Sequence, residues 1–299
     1  MVDVVVVGSI GLDTIETPFG KVQDALGGAA VYASYAASFF CKPGIVSIAG
    51  KDFPKTHIAL LEKQGIDLSG LNISGKTFRW QGLYEYDMNE AKTLKTELNA
   101  LQEFNPTLPS SYKDASYLFL GNIDPILQLQ ALQQMKKPRL TVMDTMNFWI
   151  EHKREDLIKT IKQVNVFLCN DGEARELFQT TNLVTAATKA LALGPKFVII
   201  KKGEHGALLF TESTHFNCAG YPLENIKDPT GCGDTFGGGF IGYLAKTNDL
   251  SEKNIRKAMV YGSALASFTA EDFSLQALRR ISMQDIEKRF HAFREMKEF

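Results

Sequence analysis

Cysteine is scarce in this 299-residue sequence, charge of either sign is not in excess, and long apolar runs are missing. The four cysteines, Cys41, Cys169, Cys218 and Cys232, form no Cys-x-x-Cys pair. That argues against a zinc site or a disulfide framework and fits a reducing, cytoplasmic compartment. The balance of 33 basic against 34 acidic residues shows no basic stripe, so nucleic acid is not an expected partner. No stretch approaches the roughly 20 apolar residues of a membrane helix. Asp3 leads straight into Val4-Val5-Val6-Val7 without a basic segment, so neither a signal peptide nor a membrane span is expected. His57, His152, His205, His215 and His291 lack metal-ligand spacing and read as solvated or structural. With 44% hydrophobic residues, the chain can still bury a sizeable core.

What is present is alternation. Short apolar runs at 2–7, 44–49, 117–120, 140–143, 164–168 and 197–200 read as buried strands. Helical patterns separate most of them, at 28–40, 56–64, 126–135 and 156–163. This order predicts a parallel sheet covered by helices on both faces. Two segments, 14–21 and 77–98, read instead as hairpins that form a small projecting sheet. From Thr235 onward the chain is mostly helical, and 284–299 reads as a solvated amphipathic helix.

One motif is a decoy. Gly70 to Thr77 reads G-L-N-I-S-G-K-T and satisfies the phosphate-loop pattern letter by letter. That loop must leave a buried strand and open a helix, whose amides hold the phosphates. Here Glu62 to Asp67 precedes it and the strand-like Phe78-Arg79-Trp80 follows.

The informative stretch is Asp228 to Phe240, D-P-T-G-C-G-D-T-F-G-G-G-F. Gly231 and Gly233 permit a tight turn that opens a helix, and such a turn gathers unpaired N–H groups into an anion site. A carboxylate at that spot, Asp234, repels phosphate. It makes sense as the acceptor of a proton from a hydroxyl that attacks the phosphate. The plainer alternative is an aspartate that only caps the helix.

This stretch resembles the C-terminal signature of the ribokinase-like, or PfkB, carbohydrate kinase family. Other segments resemble the family's elements in order: Gly8 to Asp13, Leu26 to Ala30, Asp144 to Asn147, Asn170 to Glu173 and Lys202 to Ala207. The resemblance implies one domain over 1–299: a three-layer α/β/α ribokinase-like fold with a mostly parallel central sheet and a small projecting β lid. The lid insertions are expected at about 12–22 and 76–99. Asp234 is then the catalytic base, with the amides of Gly231, Cys232 and Gly233 as anion hole. Asp13, Gly27, Gly28, Tyr32, Phe78, Trp80 and Asn147 are expected at the acceptor. Asn170, Glu173, Lys202, Gly203, Gly206 and Thr230 are expected at the nucleotide, with Glu173 reaching magnesium through water. ATP and Mg²⁺ are the implied cofactors, a small hydroxylated molecule is the substrate, and a homodimer through the lid is a further expectation.

There are departures from the family. Tyr32 stands where it usually has Asn, which leaves the acceptor open between sugar or polyol and nucleoside. Ala266 to Ser274 lacks the glycine of potassium-activated members, so Asp228 and Thr230 are the residues left to contribute to a monovalent-cation site. Each residue taken singly also has a duller account. Asn170 and Glu173 can simply start a helix, Asp13 can sit in a turn, Phe78, Arg79 and Trp80 can pack the insertion or a dimer interface, and Cys232 can be a small filler. Two other functions compete: a phosphate-loop NTPase using Lys76 and Thr77, and a non-catalytic nucleotide or sugar sensor.

Overall fold

The computed structural model describes residues 2–296 and residue 298. Strand β1 (Val4–Val7) is followed by a hairpin, β2 (Gly11–Thr17) and β3 (Gly20–Gly27). Helix α1 (Ala29–Ala37), β4 (Pro43–Ala49), α2 (Lys55–Lys63) and β5 (Asp67–Ile73) come next. A second hairpin, β6 (Phe78–Tyr84) and β7 (Ala91–Glu97), precedes β8 (Tyr117–Leu120), α3 (Pro125–Gln134) and β9 (Leu140–Met143). Then follow α4 (Asn147–His152), α5 (Arg154–Ile161), β10 (Val166–Asn170), α6 (Asp171–Phe178), α7 (Leu183–Leu191) and β11 (Phe197–Lys201). The chain ends with β12 (Ala207–Phe210), β13 (His215–Cys218), α8 (Cys232–Thr247), α9 (Glu252–Ala270) and α10 (Met283–Glu295).

The main sheet has nine strands in the order β13-β12-β11-β10-β9-β8-β1-β4-β5. From β11 to β5 every pairing is parallel, and β12 and β13 add an antiparallel edge. The four valines of β1 explain the layering. Val4 and Val6 join the core shared with α1, α8 and α9, whereas Val5 and Val7 join the core shared with α3, α5, α6 and α7. A strand buried on both faces can be apolar at every position, as this one is. Helices α1 and α8 meet at their small residues. A side chain at Gly238 would strike the Ala33 backbone, so a β-carbon there would push the two helices apart.

The second sheet has four strands, ordered β3-β2-β6-β7. Its first hairpin continues to Gly27, beyond the 22 expected from sequence. The exposed, polar β3 carries too little hydrophobic alternation to announce a strand. Gly70 to Thr77 is no phosphate loop: it is the end of edge strand β5 and a turn into β6. The Thr77 amide and hydroxyl both donate to Asp52 Oδ1, at 2.7 and 2.8 Å, and no helix follows.

Candidate active site

Parallel strands present their C-terminal ends at one edge, where ligands of open α/β sheets bind. Here that edge carries Asp144 after β9, Asn170 at the end of β10 and Lys201 at the end of β11. Lys201 Nζ donates to Asp144 Oδ2 at 2.5 Å, so the pair straddles the end of β10. Asn170 and Glu173 form a reciprocal capping box at α6, with both bonds at 2.7 Å. The helix-starting role therefore holds as geometry. It also aims a buried Glu173 at Asp144 and Lys201, and burial raises the Glu173 carboxyl above its ordinary range. Burial works against the Lys201 charge, but Asp144, Glu173 and Asp234 outweigh it and hold the ammonium above the usual lysine range.

Helix α8 arrives from the other side. Sequence placed its start at Thr235, but it begins at Cys232, with Gly231 as N-cap in the left-handed region at φ 76°. Asp234 is thus a first-turn residue and not the cap. Adding a β-carbon at Gly231 would drive it into the Tyr32 ring, so both the conformation and the space demand glycine. The Cys232 amide departs from the expected trio of free donors: it is already bonded to Pro229 O at 3.1 Å. No such backbone bond engages the amides of Gly231 and Gly233 among the described residues. Cys232 Sγ lies 3.4 Å from Ala266 O, and burial pushes its thiol up, which fits a filler rather than a nucleophile.

The acceptor-side residues converge through the second sheet. Asp13 pairs in register with Trp80, and Gly11 with Phe78, so Asp13, Phe78 and Trp80 share one face. The Asp13 carboxylate packs against Gly27, where a side chain would collide with it, and accepts the Gly28 amide. Burial first, then the charges of Asp228 and Asp234, raise its pKa to about 8. Asp234 is raised to about 7, by burial and by Asp144, with Lys201 opposing. Asp228 is buried, raised by that burial, and accepts from Thr230 N at 2.9 Å and Ser274 N at 3.4 Å. The fully buried Tyr32 hydroxyl has no hydrogen-bond partner among the described residues. Burial and the nearby Asp228, Asp13 and Cys232 keep it protonated. Trp80 Nε1 donates to Thr93 Oγ1 at 3.2 Å.

Some expected residues lie elsewhere. Asn147 opens α4 exposed, with no hydrogen bond tying it to the cluster. Its segment contributes Asp144 instead. Lys202, Gly203 and Gly206 form the β11–β12 turn, closed by Lys202 N to Gly206 O at 2.7 Å. The Asn89 side chain, from the β6–β7 loop, lies against Gly203. Sequence reading missed Tyr84, whose hydroxyl accepts from Thr230 Oγ1 at 3.2 Å and joins the second sheet to the α8 turn. It also chose Lys202 over Lys201. The missed signal was alternation: Phe197 and Ile199 face the α8 side, so Lys201 does too.

As to metal, no three or more His, Cys, Asp or Glu side chains gather to hold an ion directly among the described residues. That fits a magnesium ion carried by nucleotide phosphates rather than one caged by the protein. No helix among the described residues is long and apolar enough to cross a membrane.

Comparison with known proteins agrees with this fold. The family model described as pfkB family carbohydrate kinase matches residues 1–280. A cytidine kinase of Thermococcus kodakarensis is 33% identical over 258 residues, spanning 84% of this chain and 92% of that one. Among solved structures, the nucleoside kinase of Methanocaldococcus jannaschii superposes with a TM-score of 0.77 at 20% identity, covering 97% of this chain and 98% of that one. A ribokinase II of E. coli in complex with ATP and Mg²⁺ gives 0.79 at 18% identity, covering 98% and 100%.

Proposed function

The chain belongs to the pfkB family of carbohydrate kinases, and on that premise we propose that it moves the γ-phosphoryl group of ATP onto a sugar or polyol hydroxyl, with Asp234 as general base. The observation that carries this assignment is the placement of Asp234. Its carboxyl stands in the first turn of α8 beside the Gly231 and Gly233 amides, with a pKa raised to about 7. A base is most useful when its pKa lies near the working pH.

The acceptor hydroxyl is held by Asp13 against the face of Phe78 and Trp80. Its oxygen bonds to the γ-phosphorus as the β–γ bridge breaks, and its proton passes to Asp234. The Gly231 and Gly233 amides receive the charge on the phosphoryl oxygens, and the Cys232 amide joins them once its turn bond opens. Magnesium would neutralise phosphate charge when bound, and Asn170 and Glu173 are the residues that would hold its water shell. Thr230 and the turn of Lys202, Gly203 and Gly206 flank the nucleotide. The paired amides on Asp228 leave a monovalent cation only a share of that carboxylate. Two copies pairing through the second sheet would bring together charged rows such as Lys21–Glu16, and salt-dependent sedimentation would test that pairing.

A second reading, a nucleoside acceptor, is favoured by the 33% identity to a cytidine kinase and by the aromatic pair, Phe78 and Trp80, on the same face as Asp13. One screen separates the two. ADP release is measured with ribose, other sugars, polyols, cytidine and inosine, with Asp234→Asn as control. Turnover with free sugars supports the first reading, and turnover confined to nucleosides supports the second. Equal ADP release by wild type and Asp234→Asn would refute the assigned base.

A further inference from the structure

We propose that Lys201 is a catalytic residue of this transfer: its ammonium is the side-chain cation that the γ-phosphoryl group meets at the α8 turn, and Asp144 is the residue that positions it. The inference rests on the kinase reading above.

Three observations carry it. First, Lys201 ends β11 at the ligand edge of the sheet, and its Nζ lies 3.0 Å from the point where Gly233 would bear a β-carbon. The ammonium therefore touches the turn whose amides are the anion site. Second, an ammonium has three donors. Among the described residues only one of them is used, by Asp144 Oδ2 at 2.5 Å, although the side chain is just 16% exposed. Asp144 is itself fixed: its Oδ1 accepts Thr145 N at 3.0 Å, and its carbonyl accepts Gln128 Nε2 at 2.9 Å. A lysine held by one bond at a fixed carboxylate keeps two donors for a ligand. Third, this one cation faces three carboxylates, Asp144, Glu173 and Asp234. A pair kept for stability gains little from that imbalance, since burying an ion pair roughly cancels its own attraction. A triphosphate approaching Asp234 without a fixed cation would meet net repulsion.

In the step itself, the acceptor oxygen forms its bond to phosphorus, the bridging oxygen leaves with ADP and takes the electron pair, and the proton goes to Asp234. Lys201 keeps all its protons and donates to non-bridging oxygens of the transferred group. Its contribution is the one made by preorganised donors aimed at developing charge.

The test compares Lys201→Met and Lys201→Arg with wild type, with melting curves to confirm folding. Lys201→Met is expected to lower kcat on the order of 10²-fold. Acceptor KM should stay within about threefold, as for a group acting on the transferred phosphoryl alone. By calorimetry, its affinity for a non-hydrolysable ATP analogue should fall roughly tenfold while ADP affinity holds, because ADP lacks the group that Lys201 contacts. Lys201→Arg should recover part of kcat, and added methylammonium should restore part of it to Lys201→Met. Unchanged turnover in Lys201→Met, or equal loss of ADP and analogue affinity with no rescue by amine, would overturn the proposal. If Lys201→Met does not fold, Lys201→Gln takes its place with the same expectations. If wild type transfers to no acceptor in the panel, the kinase reading fails first, and the analogue-against-ADP comparison still decides the role of Lys201.

Discussion

Two clusters of carboxylates meet at the first turn of α8, and they are built in opposite ways. On the acceptor side, Asp13 and Asp228 are buried side by side, and no lysine or arginine is among the leading causes of their shifts. On the phosphate side, Asp144 and Glu173 share Lys201. Asp13 in the first cluster and Glu173 in the second are both pushed up to about 8, but the second cluster also holds a fixed positive charge. Burial dominates the carboxyls of both clusters, and the cation gives the second a donor for an anion that the first lacks. Asp234 stands between the two, raised by burial and Asp144 and lowered by Lys201.

The largest effect that would break this contrast is loss of the shared base. Asp234→Asn should reduce kcat on the order of 10³-fold, within the span of a positioned proton acceptor, while nucleotide affinity changes little. Steady-state ADP release and calorimetry check both parts. The next effect sharpens the contrast. With Asp234 near 7, kcat/KM should rise about tenfold per pH unit below that value and level off above it. Removing Lys201 takes away the positive charge that lowers this pKa, so the acid limb of the residual activity in Lys201→Met should move to higher pH. A limb that stays in place would mean that the two clusters do not communicate.

A smaller effect concerns stability. Asp13 has a folded pKa of about 8, well above that of an unfolded aspartate, so the native state binds its proton more tightly. Its contribution to stability is complete at low pH and is lost as pH rises through 8. Asp13→Asn should therefore melt roughly 2–4 °C above wild type at pH 8.5 and lose that advantage at pH 4. Equal shifts at both pH values would show that packing, rather than charge, sets the difference.

How much of this was legible beforehand depends on the kind of signal. The β-branched runs of the central sheet reproduce closely, because a strand buried on both faces is apolar throughout. Tyr117–Leu120 and Leu140–Met143 coincide with their expected limits. The Asp228 to Phe240 stretch announced a turn opening a helix, and the structure places Asp234 there, one turn deeper than a cap. What stayed hidden lies in contacts between distant segments. Tyr84 meets Thr230 across 146 residues, and Lys201 meets Asp144 across 57. No local pattern encodes either separation. The continuation of the exposed β3 beyond residue 22 was likewise invisible, because an edge strand with polar residues on both faces lacks periodicity.

The smallest expected effect separates letters from geometry within one short segment. Lys76 and Thr77 complete the phosphate-loop pattern, yet they do unlike things. Lys76 is exposed, and among the described residues only its carbonyl is engaged, by Ala100 N at 2.9 Å. Thr77 is fully buried; its hydroxyl donates to Asp52 Oδ1 at 2.8 Å and accepts Gly50 N at 3.1 Å. Lys76→Ala removes no side-chain bond, so kcat and nucleotide affinity should stay within about twofold of wild type. Thr77→Val leaves the Gly50 amide without its partner and should cost about 1–3 kcal/mol of stability in denaturant unfolding. Its turnover should survive, because the hydroxyl supports the β4–β6 connection and touches none of the residues assigned to transfer. A collapse of turnover in Lys76→Ala, with the fold intact, would return the nucleotide phosphates to the segment where the sequence pattern alone would have put them.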